Sequence, residues 1–124
     1  MTDHPGVPNA QLVKEETPEA KLYKGRSIAE QNSVDRCWEL LMSPAYKKLR
    51  QAIYTTEKGL ERFRSLVVNS VIATDIFDPN LKSLRNARWE KAFNNKATLG
   101  HAEDSKAMSD RKATIVIEHL IQAR

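Results

Sequence analysis

Among 124 residues there is one cysteine, Cys37, so no intramolecular disulfide can form and the chain suits a reducing compartment. Cys37 is expected to be a small buried apolar side chain. No run reaches the ~18 consecutive apolar residues that a membrane span needs. The N-terminus carries Asp3, Pro5 and Pro8 where a signal peptide would carry an apolar stretch. The expected location is cytoplasmic, or the cytoplasmic face of a membrane where a flanking segment carries an anchor. Gly6, Gly25, Gly59 and Gly100 are scattered, which excludes a phosphate-cradling glycine loop. With one Cys and no Gly-x-Ser-x-Gly, covalent catalysis has no support.

Charge of a single sign is also lacking. The net charge is +4 and the pI about 9.3, but acids and bases alternate through Lys14-Glu15-Glu16 and from Glu57 to Arg64. That interspersion describes solvated helix faces and excludes a nucleic-acid-binding stripe. Aromatic residues make up 6% against 29% charged, and the mean hydropathy is −0.58, so a thin interior between amphipathic helices is expected. Strand signals are nearly absent, with no sustained alternation and no Asn-Gly or Asp-Gly turn. The expected fold class is all-α.

Caps and periodicity divide the chain into helices. Asn9 can cap a short helix over 10–16, and Thr17-Pro18 opens another in which Leu22 and Tyr23 pack before Gly25 stops it. Ser27 and Glu30 form a capping-box pattern opening a helix to about Met42, with Val34, Cys37, Trp38 and Leu41 on its buried side. Ser43-Pro44 begins a shorter helix carrying Tyr46, Leu49 and Ile53. The longest periodic stretch, 57–77, is apolar nearly all round at 66–73, which predicts burial among several helices. Asp78-Pro79 starts a further helix, 94–105 reads as a polar loop with Gly100 and His101, and a last helix over 109–123 is expected to bury Ile115, Val116, Ile117, Leu120 and Ile121.

Three segments, in order and at compatible spacing, carry a family resemblance. They are Asp3-His4-Pro5-Gly6, the run Ser27-Ile28-Ala29-Glu30-Gln31-Asn32, and Val71-Ile72-Ala73-Thr74-Asp75. They resemble, respectively, the second half of the His-Asp-x-Asp-His-x-Gly signature, the Ser-Val-x-Glu-Asn segment and the Leu-Ala-Thr-Asp helix of class I 3′,5′-cyclic nucleotide phosphodiesterases, HD-type metal-dependent phosphohydrolases. Ile117 to Ala123 is similar to the helix that leads into the family's late metal-binding Asp. The resemblance implies an all-α catalytic domain that hydrolyses cAMP or cGMP to the 5′-nucleotide. It also implies two divalent metal ions, zinc and magnesium or manganese, between which a hydroxide is held.

By the same resemblance the metal-ligating His and Asp residues fall outside this chain, so residues 1–124 are expected to be a central piece of the domain, truncated at both ends and inactive alone. Within it, the residues matching His4, Glu30 and Thr74 lie around the metals and orient their waters, with Asp75 a weaker member of the set. Each has a bland alternative. His4 can be a solvated loop side chain, and Glu30 is equally explained by the capping box. Thr74 can bond back to a helix carbonyl, with Asp75 a surface charge, although the apolar run before them favours a cleft-facing pair. His101 reads as solvated and His119 as complementing the C-terminal helix dipole. Asn32 and Gln122 stand where many family members have His.

Two functions follow. One is the phosphodiesterase domain, with a cyclic nucleotide as ligand, no nucleic acid and no membrane segment. The other is a non-catalytic helical binding or regulatory module derived from it. In either, the apolar 66–73 surface without flanking helices is expected to favour self-association.

Overall fold

A computed structural model of the chain describes residues 2–94 and 105–123. Among these residues there are helices and no strands: α1 (Asn9–Lys14), α2 (Pro18–Leu22), α3 (Ile28–Met42), α4 (Lys47–Ile53), α5 (Glu57–Ile72), α6 (Pro79–Trp89) and α7 (Ser105–Gln122). The chain divides into two compact units, Met1–Asp75 and Ile76–Arg124. No helix among the described residues is long and apolar enough to cross a membrane.

In the first unit the short helices depend on their caps and on a small core. Thr17 Oγ1 accepts the Ala20 N–H at 3.2 Å with Pro18 at the first helical position, as the sequence predicts. Thr56 Oγ1 does the same for α5 through Gly59 N–H at 3.0 Å. At the other end of α3, Arg50 Nη1 donates to the carbonyls of Leu41 and Ser43 at 2.6 and 2.7 Å, satisfying groups that the helix leaves open. The core joins Leu12, Ala20 and Ile28, with Val7 and Tyr23 packed on it. α3 lies against α5, where the Phe63 ring sits 6.1 Å from both Trp38 and Tyr54, and the Arg64 guanidinium lies 5.4 Å from the Trp38 ring centre.

Several expectations fail here for physical reasons. Leu22 does not pack but is 68% exposed, because the α2 face that meets the core is that of Ala20. Cys37 is exposed, lying on the α3 face where residues 2 and 3 bind rather than on the Val34 stripe; its Sγ is 2.8 Å from Thr2 Oγ1. α5 ends at Ile72, not 77: Thr74 Oγ1 bonds the Val71 carbonyl at 2.6 Å, and the Thr74 and Asp75 N–H groups turn back to Val71 and Ile72, tightening the last turn. Within the apolar 66–73 stretch only Ala73 is buried, the other side chains being half-buried.

The second unit pairs α6 with α7. Asp78 Oδ1 accepts the N–H groups of Asn80 and Leu81 at 2.8 and 3.4 Å, confirming its cap, and α6 continues through one π turn, Glu90–Asn94. α7 starts at Ser105, earlier than the predicted 109; the loop expected around Gly100 and His101 lies outside the described residues. The buried face of α7 is Thr114, Ile115 and Glu118, while Ile117 and Leu120 are exposed. α6 offers Arg85 and Arg88 to that face, so a carboxylate turns inward where an apolar stripe was expected.

Candidate functional site

The polar centre of the first unit is built around Asn9. Its Oδ1 accepts the N–H of Ala29 at 3.0 Å, and its Nδ2 donates to Glu30 Oε2 at 2.9 Å and to Asp75 Oδ2 at 3.4 Å. Ser27 Oγ donates to the same Asp75 oxygen at 2.7 Å. Glu30 is 6% exposed and Asp75 7%, so two carboxylates lie out of solvent, each accepting from a neutral donor.

This arrangement replaces the capping box. An N-cap serine needs an extended backbone, but Ser27 takes φ 40° and ψ 51°, in the left-handed region, and makes no cap bond to its own helix. That conformation costs about 1 kcal/mol for a residue with a Cβ. It turns the hydroxyl to Asp75, and Asn9 caps α3 from outside. Asn9 accordingly does not cap α1, whose N-cap is Pro8. Sequence reading missed Asn9 and Ser27 as site residues because their partners lie 20 to 66 positions away, beyond the reach of any local pattern.

The structure brings together Glu30 and Asp75, so the surface-charge alternative for Asp75 is wrong. Thr74 is half-buried beside Asp75 and bonds the Val71 carbonyl, as its bland alternative has it, though just past the helix rather than inside it. His4 is exposed, with its Nδ1 accepting the Gly6 N–H at 3.0 Å. The loop that carries His4 is nevertheless tied to α3: Asn32 Nδ2 donates to Asp3 Oδ2 at 3.2 Å, Ser33 Oγ donates to the Thr2 carbonyl, and Arg36 lies 3.9 Å from Asp3. Asn32, where many relatives by resemblance have His, thus holds the loop next to His4.

These residues do not by themselves fit a metal centre. Among the described residues no three His, Cys, Asp or Glu side chains come together, and Glu30 and Asp75 are already engaged by amide and hydroxyl donors. A shallow open cleft of about 550 Å³ beside α4 and α5, lined by Tyr54, Thr56 and Leu60 among others, includes none of the four residues.

The second unit holds another buried polar cluster. Arg88 donates to Glu118, which is 1% exposed, and Arg85 is 7% exposed. Burial raises the Glu118 pKa against the opposing pull of Arg88 and Arg85. His119 meets the Trp89 ring edge-on at 4.6 Å, and burial, Arg85 and Arg88 all lower its pKa. It therefore tends to the neutral form and does not serve as a cation for the helix dipole. Arg85 Nε, Glu118 Oε1 and His119 Nε2 are buried without a hydrogen-bond partner among the described residues.

The described residues are helical with no strand, and comparison places the chain in a family. The sequence profile of the 3′5′-cyclic nucleotide phosphodiesterase family matches residues 2–123, so the chain belongs to that family. Over 75 residues, 60% of the chain, it is 40% identical to the cGMP-inhibited 3′,5′-cyclic phosphodiesterase 3A of Homo sapiens, covering 6% of that protein. Over 74 residues it is 36% identical to the probable 3′,5′-cyclic phosphodiesterase pde-3 of Caenorhabditis elegans, covering 60% of this chain and 10% of that protein. The fold is similar to the phosphodiesterase domain of the RhoPDE fusion protein from the choanoflagellate Salpingoeca rosetta, with a TM-score of 0.66 over 97% of this chain and 34% of that one, at 18% identity. The chain thus matches a tenth or less of each of these two relatives' length.

Proposed function

We propose that this chain is the central piece of a catalytic domain that hydrolyses a 3′,5′-cyclic nucleotide, cAMP or cGMP, to the 5′-monophosphate. The observation that carries the reading is the family match over residues 2–123, and the sealed Glu30–Asn9–Asp75 network agrees with it. In the whole domain two divalent ions, zinc with magnesium or manganese, supply the Lewis-acid chemistry, held by ligands from outside residues 1–124. This chain's part is orientation: Glu30 and Asp75 present fixed acceptors, with Thr74 and His4 at the border of the same site. The partner is a small cyclic nucleotide rather than a nucleic acid, and the location is the cytoplasm, or the cytoplasmic face of a membrane where a flanking segment carries an anchor. Exposed Leu22, Phe77 and Leu120 support self-association of the isolated chain.

The test has two arms. Purified residues 1–124 are expected to show no metal-dependent turnover of cAMP or cGMP; turnover would overturn the assignment as a piece that borrows its metal ligands. In a whole domain containing the chain, Glu30→Gln and His4→Ala are each expected to lower kcat about tenfold or more while KM changes little. Unchanged kcat in both would return His4 to a solvated loop side chain and Glu30 to a purely structural role.

A further inference from the structure

We infer that Asn9 is the positioning residue of this centre, a single carboxamide that sets where the Glu30 and Asp75 carboxylates stand. Every polar atom of its side chain is used. Oδ1 takes a free N–H in the first turn of α3, and the two hydrogens on Nδ2 match the two carboxylate oxygens at 2.9 and 3.4 Å. These three contacts tie α1, the start of α3 and the end of α5 through one group.

The chemistry at position 9 is constrained from both sides. Two buried carboxylates facing one point repel unless a donor stands between them. The backbone N–H of Ala29, on the same side chain, demands an acceptor. A primary carboxamide supplies both and adds no charge, whereas Asp supplies the acceptor but removes the donor and brings a third negative charge. Ser27 donates to Asp75 and not to Glu30, so among the described residues it is Asn9 that orients Glu30. The functional consequence rests on the reading that Glu30 belongs to the hydrolytic site, while the positioning itself does not.

The two can be separated by experiment on the 124-residue chain and on a whole domain. In the chain, urea unfolding followed by circular dichroism is measured for wild type, Asn9→Asp, Glu30→Gln and the double variant. If Asn9 were only a cap, Asn9→Asp would be neutral, since aspartate is as good an acceptor at a helix N-terminus. Positioning predicts that Asn9→Asp raises the unfolding constant about tenfold or more, and that Glu30→Gln in the same chain recovers most of it. The recovery comes from reversed polarity, because the new amide at position 30 then donates to the new carboxylate at position 9.

A neutral Asn9→Asp, or a loss that Glu30→Gln does not recover, overturns the inference. If Asn9→Asp does not fold at all, recovery of folding in the double variant supports it, and failure to recover sinks it. In the whole domain, Asn9→Asp is expected to lower kcat with KM nearly unchanged, and to add no further loss once Glu30→Gln is present. If Glu30→Gln leaves kcat intact while the unfolding rescue holds, the functional reading has failed and the positioning role stands.

Discussion

The two units bury charge in opposite ways. In the first, Glu30 accepts from the Asn9 amide, and Asp75 accepts from the Asn9 amide and the Ser27 hydroxyl. In the second, Glu118 has two arginines beside it, yet Arg85 Nε, Glu118 Oε1 and His119 Nε2 are left unmatched among the described residues. A carboxylate held by amide and hydroxyl is fixed in direction. One held mainly by charge is fixed in place but leaves lone pairs and protons unserved. The first pattern suits a site that must present acceptors at a set angle. The second is a balance of large opposing terms, and that is where stability should be most sensitive.

The largest expected effect is therefore in the second unit. Glu118→Ala strands the guanidinium of Arg85, which is 7% exposed, without its counter-charge. The expected loss is about 3 kcal/mol, at the lower end for a broken buried pair because Arg88 is half-exposed and can turn to water. Replacing Glu118 and Arg85 together by Leu should cost far less, or stabilise. Hydrogen exchange of the α6 and α7 amides measures both. Equal losses in the two variants would mean that the cluster is held by shape rather than charge, and the contrast between units would fall.

What the sequence could show follows the same division. Thr17-Pro18 and Asp78-Pro79 act over one turn and are found where the pattern puts them, and α3 runs to Met42 as expected, although Cys37 falls off its buried side. The resemblance of the Glu30 and Thr74-Asp75 segments pointed to residues that the fold makes neighbours or near neighbours in one centre. The roles of Asn9 and Ser27 were illegible, because each looks locally like an ordinary cap and its true partner is set by tertiary packing. The inward turn of Glu118 was hidden for a similar reason: Ile117 and Leu120 make a better apolar stripe than Thr114 and Glu118, until two arginines on α6 reverse the preference.

A smaller effect should appear on acidification. His119 has its folded pKa lowered below the ordinary 6.5 by burial first, then Arg85 and Arg88. The unfolded chain therefore takes up its proton at higher pH than the folded one, and the second unit loses stability as pH falls from about 7 through 6.5 and downward. Glu118, whose folded pKa is raised, acts with the opposite sign: its contribution is present below 4.5 and is lost as pH rises through the raised value. The groups facing His119 are thus Arg85, Arg88 and the Trp89 edge from α6, and Glu118 on its own helix. Relative to the intrinsic rate, which itself falls on acidification, the α7 amides should lose protection between about pH 7.5 and 5.5, and His119→Gln should flatten that slope. A slope untouched by the substitution would assign acid sensitivity elsewhere.

The smallest effect belongs to the first unit and lies at the alkaline edge. Tyr23 packs on the Leu12–Ala20–Ile28 core and donates its hydroxyl to Asp35 Oδ2 at 2.8 Å. Burial, that hydrogen bond and the charge of Asp35 raise its pKa from 10.0 to about 12, since each disfavours the phenolate. The sign is that of a raised folded pKa: the stabilising contribution is complete below pH 10.0 and is lost as pH rises through about 12. Ultraviolet difference titration should show a late-titrating tyrosine that vanishes from the high end in Tyr23→Phe and moves down in Asp35→Asn. If Asp35→Asn leaves it in place, burial alone sets the shift. Should no tyrosine titrate late, α2 does not dock on α3 as described, and the contrast between an alkali-sensitive first unit and an acid-sensitive second would be lost.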